Sequence, residues 1–421
     1  MPPNRNPRRK NTSPPTAAAD PMADCVLPLD VIPCILTRLP VKSVLRFKSV
    51  CKPWCKLVAS SKFVKAHHDQ QSKDPQNQAA VIYSLSGFHD HTMSLYRINS
   101  GEKKPVSLDN PYPEIFFRKD FLSASYGFMC NGRPPLGQGT VLWNPIFFRV
   151  DFVGACYGLL CTGCPPLGQG IVLWNPAMKL FKFVGPLKVE LEVPEMVSLG
   201  FGFDSISDDF KVVRIVCLAE KKKGKSKGVG VEVYSANSDS WKKIEVGFRF
   251  KVLSTKNNAI VNGNPYWVSK IDEERGAGSS LGEALVCFDV TKMVFTILPL
   301  SGFSLHGGAE VLLVDWKGSL GAIVCDKNFE RVESLDVWVF DDCEKIWTKN
   351  HTFGPFELKV DGILQCSNNG MILGECPDGK LFVLDPMSGS VEEIVIDEAQ
   401  KRSFVINGYT ESLACVEEWK R

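Results

Sequence analysis

No run of about 18 or more consecutive apolar residues interrupts this 421-residue sequence, so it offers no candidate membrane-crossing helix. Its first residues are polar and proline-rich instead of a basic start followed by an apolar segment. A chain that is neither secreted nor membrane-spanning is therefore expected. Net charge is nearly absent too: 49 Lys and Arg face 47 Asp and Glu. The residual +2 is already present in residues 1–24, where Arg5, Arg8, Arg9 and Lys10 oppose Asp20 and Asp24. A body of zero net charge has no overall electrostatic pull towards nucleic acid or an anionic membrane, and neither is expected as a partner. Histidine is scarce, at six residues. No GxSxG nucleophile motif occurs, and nothing assigns a histidine to a triad.

The 15 cysteines lack a framework, being odd in number and embedded in apolar runs such as Val216-Cys217-Leu218 and Val286-Cys287-Phe288. They read as reduced core thiols of a cytoplasmic or nuclear protein. Cys161 and Cys164 form a CxxC, but no second pair stands at ligand spacing, so no metal is expected. His89 and His91 form an HxH without a third ligand, which reads as a surface turn. AEKKKGKS, Ala219 to Ser226, satisfies a relaxed phosphate-loop pattern. A phosphate loop must run into a helix, and here Val229 to Tyr234 reads as another strand, so Lys221 to Lys227 is a solvated hairpin tip. Asp208-Asp209 precedes Phe210 as turn carboxylates; a glycosidase needs acids on separate strands at a defined distance. No cofactor and no catalytic residue is expected.

The strongest positive signal is Leu27 to His67. Val31, Ile32, Ile35, Leu36 and Leu39 recur at helical spacing up to the Leu39-Pro40 pair; Val44, Phe47, Val50 and Cys51 repeat the pattern. Pro53 suits a first helical turn before Trp54, Leu57 and Val58. Three short helices follow, with Phe63 and Val64 beginning a possible fourth. A unit of about 40 residues is near the lower size limit for independent folding, and its surplus apolar surface is expected to face a partner. A generic helical hairpin is the alternative, but the fragments LPLDVI, ILTRLPVKSVLRF, SVCKPW and KFVKAH stand in the order and spacing of a plant F-box, which this segment resembles. Pro33 and Cys34 depart from the pattern, standing where the family has an apolar residue and a glutamate. The proline costs little if it falls near the first helical turn.

From about Ala80 the period changes from helical to alternating, which predicts an all-β body. One hairpin keeps returning, with an Asn, Asp or Ser turn before a strand that opens on an aromatic or β-branched residue. Its turns lie near residues 99, 144, 175, 236, 290, 341 and 385. Apart from the close second pair, the spacing of about 45 to 60 residues approaches a kelch-type blade, and one hairpin per blade is expected. The succession YGLLC, VLWNPAMKLFKF, GFGFDSISDDFKVVRIV, VEVYSANSDSWKKI, AIVNGNPYWVS, LVCFDVTKMVFTILPL and LFVLDPMSGSVEEI is similar to the plant F-box-associated domain. The stretch from Ser301 to Leu335 follows that pattern loosely. Within the body, residues 120–145 recur as 151–176 with most positions identical, a tandem duplication that places PPLGQG twice. The copy is shorter than a blade of about 40 to 50 residues, so extra sheet length is the simpler reading and a doubled recognition loop the other.

The expected organisation is a disordered basic, proline-rich tail at 1–24, a three-helix F-box at 25–68, a polar linker at 69–79 and a propeller-like β domain at 80–415. The PRRK cluster at Pro7 to Lys10 reads as solvated tail before nuclear signal. The resemblance implies a non-enzymatic substrate-recognition subunit of an SCF-type ubiquitin ligase, holding a Skp-family adaptor, a cullin through it, and an unidentified target protein. It implies adaptor contacts at Leu27, Pro28, Ile35, Leu36, Leu39, Pro40, Leu45, Val50 and Trp54. Candidate target-binding loops are Pro134, Leu136 and Gln138 in the first copy, Pro165, Leu167 and Gln169 in the second, and Lys221 to Lys227. The alternative is an F-box interaction module that binds a partner protein or glycan without directing ubiquitination.

Overall fold

The structure is a computed structural model that describes residues 31–86, 90–108, 151–164, 169–184, 194–218, 229–253, 258–272, 282–300, 310–328, 331–356, 360–367, 369–396 and 404–416. The tail 1–24 and the first duplicated copy lie outside these residues. Four helices come first: α1 (Val31–Leu36), α2 (Val41–Phe47), α3 (Lys52–Ala59) and α4 (Ser61–Lys73). None is long and apolar enough to cross a membrane. Pro33 is accommodated inside α1, and its carbonyl still accepts the Thr37 amide at 2.9 Å. Ser60 caps α4 by accepting the Phe63 amide at 3.3 Å. That helix continues through Lys73, and a 3-10 turn at Pro75–Asn77 follows, so most of the stretch expected as a polar linker is helical. Its polar side chains look inward: His67 and Gln71 are buried.

Among the described residues the strands that follow are all antiparallel, arranged as six blades of a β-propeller. Blade 1 holds β1 (Ala79–Ser86), β2 (Asp90–Arg97) and β3 (Val106–Ser107); blade 2 holds β4 (Asp151–Cys156), β5 (Leu159–Cys164), β6 (Gln169–Asn175) and β7 (Leu180–Val184). Blade 3 is β8 (Pro194–Asp204), β9 (Asp209–Leu218), β10 (Val229–Ser235) and β11 (Ser240–Ile244). Blade 4 is β12 (Arg249–Val252), β13 (Asn258–Val261), β14 (Asn264–Asp272), β15 (Gly282–Asp289) and β16 (Val294–Pro299). Blade 5 comprises β17 (Glu310–Trp316), β18 (Ser319–Asn328), β19 (Arg331–Asp341) and β20 (Ile346–Phe353). Blade 6 comprises β21 (Gly362–Cys366), β22 (Ile372–Glu375), β23 (Leu381–Leu384) and β24 (Val391–Ile394). The last strand, β25 (Phe404–Tyr409), returns to blade 1 and pairs with β1 from Ala79↔Tyr409 to Ser84↔Phe404. Strands β25, β4, β8, β13, β17 and β21 touch in sequence around the centre, and β21 meets β25 again to complete the ring.

The alternating pattern builds the core. Each strand of a blade sends one set of side chains to each neighbouring blade, and one apolar cluster fills each of the six junctions. Along β9, Val212 packs towards blade 2 while Val213 and Ile215 pack towards blade 4. Of the seven hairpin turns read from the sequence, the one near residue 144 lies outside the described residues. Each of the other six joins the third and fourth strands of one blade. Their chemistry repeats. Asn175, Asp289, Asp341 and Asp385 use side-chain oxygens to accept amides two or three residues ahead, and Ser235 accepts from Ser238 in the same way. The turn then closes with a left-handed residue, at Lys179, Asp239, Met293 and Lys345, or at Gly101 and Gly389. The loosely patterned stretch after Ser301 contains β17 and β18, which with β19 and β20 make a complete blade.

Candidate functional site

The four helices enclose a small core of Leu36, Val41, Val44, Val58 and Phe63, none more than 3% exposed. Trp54 packs edge-on against Phe47 with ring centroids 5.5 Å apart. Helix α4 braces the α1–α2 junction through polar atoms. The Leu39 carbonyl can only accept, so His67 Nε2 carries the proton and donates to it at 2.8 Å. Gln71 Nε2 donates to Thr37 O at 3.0 Å, and its Oε1 accepts from Asn77 Nδ2 at 2.8 Å. Burial lowers the His67 pKa despite that carbonyl, and burial followed by the neighbouring His67 lowers His68 to about 4. Both rings are therefore neutral at pH 7.

The expected adaptor contacts separate by exposure. Ile35 and Val50 stand open to solvent at 42% and 60%, with Val31 at 39% beside them in the exposed apolar set. Pro40 is exposed as well, whereas Leu39, Leu45 and Trp54 are half-buried against the helical core. Leu36 is a correction: at 2% exposure it fills the core and has no surface to offer a partner. The reason is its place on the α1 stripe that meets Val41 and Val44. Leu27 and Pro28 lie outside the described residues.

The helical unit is seated on one face of the ring. Val64 packs into the blade 2–3 core, and the His68 ring lies on Tyr157 at 4.7 Å. Tyr157 in turn meets Phe203 at 4.3 Å, and Lys65 Nζ donates to Ser205 O at 3.0 Å. Tyr157 is in the β4–β5 turn, Ser205 in the β8–β9 turn, and Ala177 and Met178, which also join the helical core, are in the β6–β7 turn. First-to-second and third-to-fourth turns share a face in an antiparallel blade, and second-to-third loops leave from the other. Residues 165–168 and 219–228 connect second and third strands in blades 2 and 3, so the strand ends flanking them, Cys164 with Gln169 and Leu218 with Val229, are on the face away from the helices. Pro134, Leu136, Gln138, Pro165, Leu167 and Lys221 to Lys227 lie outside the described residues; Gln169 opens β6, its backbone opposite Cys164.

A family model described as the F-box domain matches residues 25–66, and one described as the F-box associated beta propeller domain matches residues 147–417, well over half of the chain. This chain belongs to the F-box-associated β-propeller family. Among curated relatives, the F-box protein At1g30790 of Arabidopsis thaliana is 23% identical over 337 residues, spanning 77% of this chain and 74% of its own length. The F-box/kelch-repeat protein At3g23880 is 26% identical over 391 residues, spanning 87% and 91%, and the F-box/kelch-repeat protein At3g17530 is 23% identical over 340 residues, spanning 80% and 76%, both also from Arabidopsis thaliana. The combination of an F-box with its associated propeller is that of a recognition-type F-box protein.

Two features of this F-box protein escaped the sequence reading. Asp204, not the Asp208-Asp209 pair, is the charged centre of its turn. Its carboxylate is 4% exposed and accepts from Lys211 Nζ at 2.8 Å, Ser207 Oγ at 2.7 Å and Thr291 Oγ1 at 2.8 Å, tying blade 3 to blade 4. Burial alone would raise the Asp204 pKa, but the bonds from Lys211, Ser207 and Thr291 outweigh it and hold the group well below the usual carboxylate range. The second feature is the stretch after β25, where Asn175 Nδ2 donates to the carbonyls of Ser412 at 3.0 Å and Ala414 at 2.8 Å. An aspartate before a turn and a buried asparagine were visible as letters; their partners, 87 and 237 positions away, were not. Among the described residues no group of three His, Cys, Asp or Glu side chains could hold a metal ion. Burial pushes the Cys161 thiol far above its ordinary value.

Proposed function

We propose that this protein is the substrate-recognition subunit of an SCF-type ubiquitin ligase, with its F-box on a Skp-family adaptor and a cullin reached through that adaptor. The supporting observation is Ile35 and Val50, aliphatic side chains that, with Val31, the helical unit leaves open to solvent. Since 42% of Ile35 and 60% of Val50 remain exposed, an adaptor that covers them gains about 1 kcal/mol for each. The propeller face away from the helices presents the target protein, and ubiquitin transfer is accelerated by proximity, since tethering raises the effective concentration of a target lysine near the charged conjugating enzyme. No residue of this chain acts as a catalyst. Its working compartment is the cytoplasm or nucleus, which suits the free thiols at Cys156, Cys161 and Cys366.

The test is capture of a purified Skp-family adaptor by the full-length protein. Wild type is expected to bind and Ile35→Asp with Val50→Asp to lose most of that affinity, while circular dichroism stays unchanged because both positions are exposed. Failure of the wild-type protein to bind, or undiminished binding by the double variant, overturns the reading.

A further inference from the structure

We propose that Thr410–Val416, at the far end of the sequence from the F-box, is a working part of the adaptor-docking unit and makes adaptor capture conditional on closure of the propeller ring. The adaptor half of this statement rests on the function proposed above; the coupling rests on contacts within this chain.

The helical unit does not close its own core. Leu413, 3% exposed, completes the cluster of Leu36, Val41, Val44, Val58 and Phe63. The segment carrying it is held on both sides. Asn175, fully buried in blade 2, clamps the carbonyls of Ser412 and Ala414. Ser412 Oγ accepts the Ala414 amide at 3.0 Å, and Ala414 and Val416 enter the blade 2–3 core. At Gly158 a side chain is excluded by this segment, because a Cβ there would meet Ser412 Cβ at 2.1 Å and Thr410 O at 2.8 Å. Leu413 is thus pinned from below by the propeller and reaches upward into the helices.

The segment follows β25 without interruption, and β25 is the strand that closes the ring by pairing with β1. Detachment of β25 removes one of the supports of that segment and leaves Leu413 on the Asn175 clamp and the blade 2–3 core alone, which weakens its hold in the helices. A helical unit near the lower size limit for autonomous folding then loses one of its buried leucines. The adaptor surface at Ile35 and Val50 is carried by helices whose packing depends on that core, so the fraction of molecules able to bind falls with it. An F-box protein whose recognition domain is unclosed is withheld from the ligase, and the signal passes through residues remote in sequence from the F-box.

The experiment compares full-length wild type, Leu413→Asp and Leu413→Met in two readouts: affinity for a purified Skp-family adaptor, and amide hydrogen exchange. Leu413→Asp is expected to raise the apparent dissociation constant on the order of tenfold or more and to speed exchange in α2 and α3, with β14 and β15 as protected as in wild type. Leu413→Met, which refills the volume, is expected to restore both. Wild-type affinity and wild-type protection of α2 and α3 in Leu413→Asp overturn the proposal. If that variant loses protection in β14 and β15 as well, Leu413→Ala is read by the same criteria. Failure of wild type to bind the adaptor sinks the ligase reading alone, because the exchange arm still decides whether Leu413 completes the helical core.

Discussion

Lys211→Met is the most informative single change in the propeller. Lys211 is 8% exposed, and its ammonium donates to Asp204 Oδ2 and to the Val290 carbonyl, each at 2.8 Å. Methionine keeps the length and apolar volume of the side chain but removes the charge. It leaves the buried Asp204 carboxylate with neutral donors only, namely Ser207 Oγ, Thr291 Oγ1 and the Ile206 and Ser207 amides. Breaking a buried ion pair from one side costs about 3 to 5 kcal/mol, and the orphaned Val290 carbonyl adds to it. The four remaining donors offset part, so a loss of about 3 kcal/mol is expected, a large share of the roughly 5 to 15 kcal/mol that holds a domain folded. Urea unfolding followed by tryptophan fluorescence should show a lower midpoint at unchanged slope. Asp204→Asn together with Lys211→Met should recover more than half of the loss, because the stranded charge is gone. The pH dependence has a definite sign. The folded pKa of Asp204 is depressed, so its stabilisation is complete above the ordinary aspartate value near 4 and drains away as pH falls from there through the lower folded value. Without Lys211 the carboxylate takes up its proton earlier, and the gap between wild type and variant should be smaller at pH 3 than at pH 7. A variant within about 0.5 kcal/mol of wild type at pH 7 would refute the reasoning, since it would make this pair no stronger than one at the surface.

Three further outcomes are expected. His68 titrates near 4 when folded, lowered by burial and by His67, against an ordinary value of about 6.5; its contribution to seating the helices is complete above about pH 6.5 and drains away as pH falls towards 4. Amide exchange in α4 should accelerate between pH 7 and 5, after correction for the intrinsic rate, and His68→Phe should flatten that response; an unchanged pH profile in the variant counts against it. Gly202→Ala would place a methyl 2.3 Å from the Gly263 carbonyl and 2.8 Å from Val290 Cγ1, forcing blades 3 and 4 apart at about 1 to 3 kcal/mol, whereas Gly247→Ala, with open space around it, should be neutral; equal thermal midpoints would dismiss the clash. Deleting residues 120–150 should leave a soluble monomer with near-native β circular dichroism, because six blades close around the centre without that copy, and consistent aggregation would show the copy to be integral.

The sequence made the outer hairpins legible because their information is local. An Asx or Ser side chain bonds amides two or three residues away, so DVTKM, DDCEK and DPMSG announce turns irrespective of what surrounds them. The same holds for the F-box, whose motifs span one short stretch. Closure was not legible. FVINGY at β25 has no hairpin partner nearby; its neighbour β1 lies more than 300 residues earlier, and only the assembled ring selects that pairing. Leu36 shows a different limit. An apolar stripe tells which residues leave water but not what covers them, so Leu36 and Ile35 looked alike until packing divided them into core and surface. Within α4, the run DQQSK carries no apolar residue and reads as linker; the inward face it shares with His67 is made of histidine and glutamine held by hydrogen bonds, a pattern that hydrophobic periodicity does not register.

The pairing of β25 with β1 also fixes an order of events during synthesis. The helices and the first two strands of blade 1 emerge from the ribosome early, but the inner edge of β1 stays unpaired until Phe404–Tyr409 has been made. At about 5 to 20 residues per second, translation of the intervening residues takes on the order of half a minute. For that interval the nascent chain carries an open, aliphatic strand edge of the kind that recruits wrong partners. A premature stop anywhere before residue 404 makes that state permanent. Ribosome-associated chaperones should accordingly be found on chains stalled short of β25 and absent from chains released beyond it.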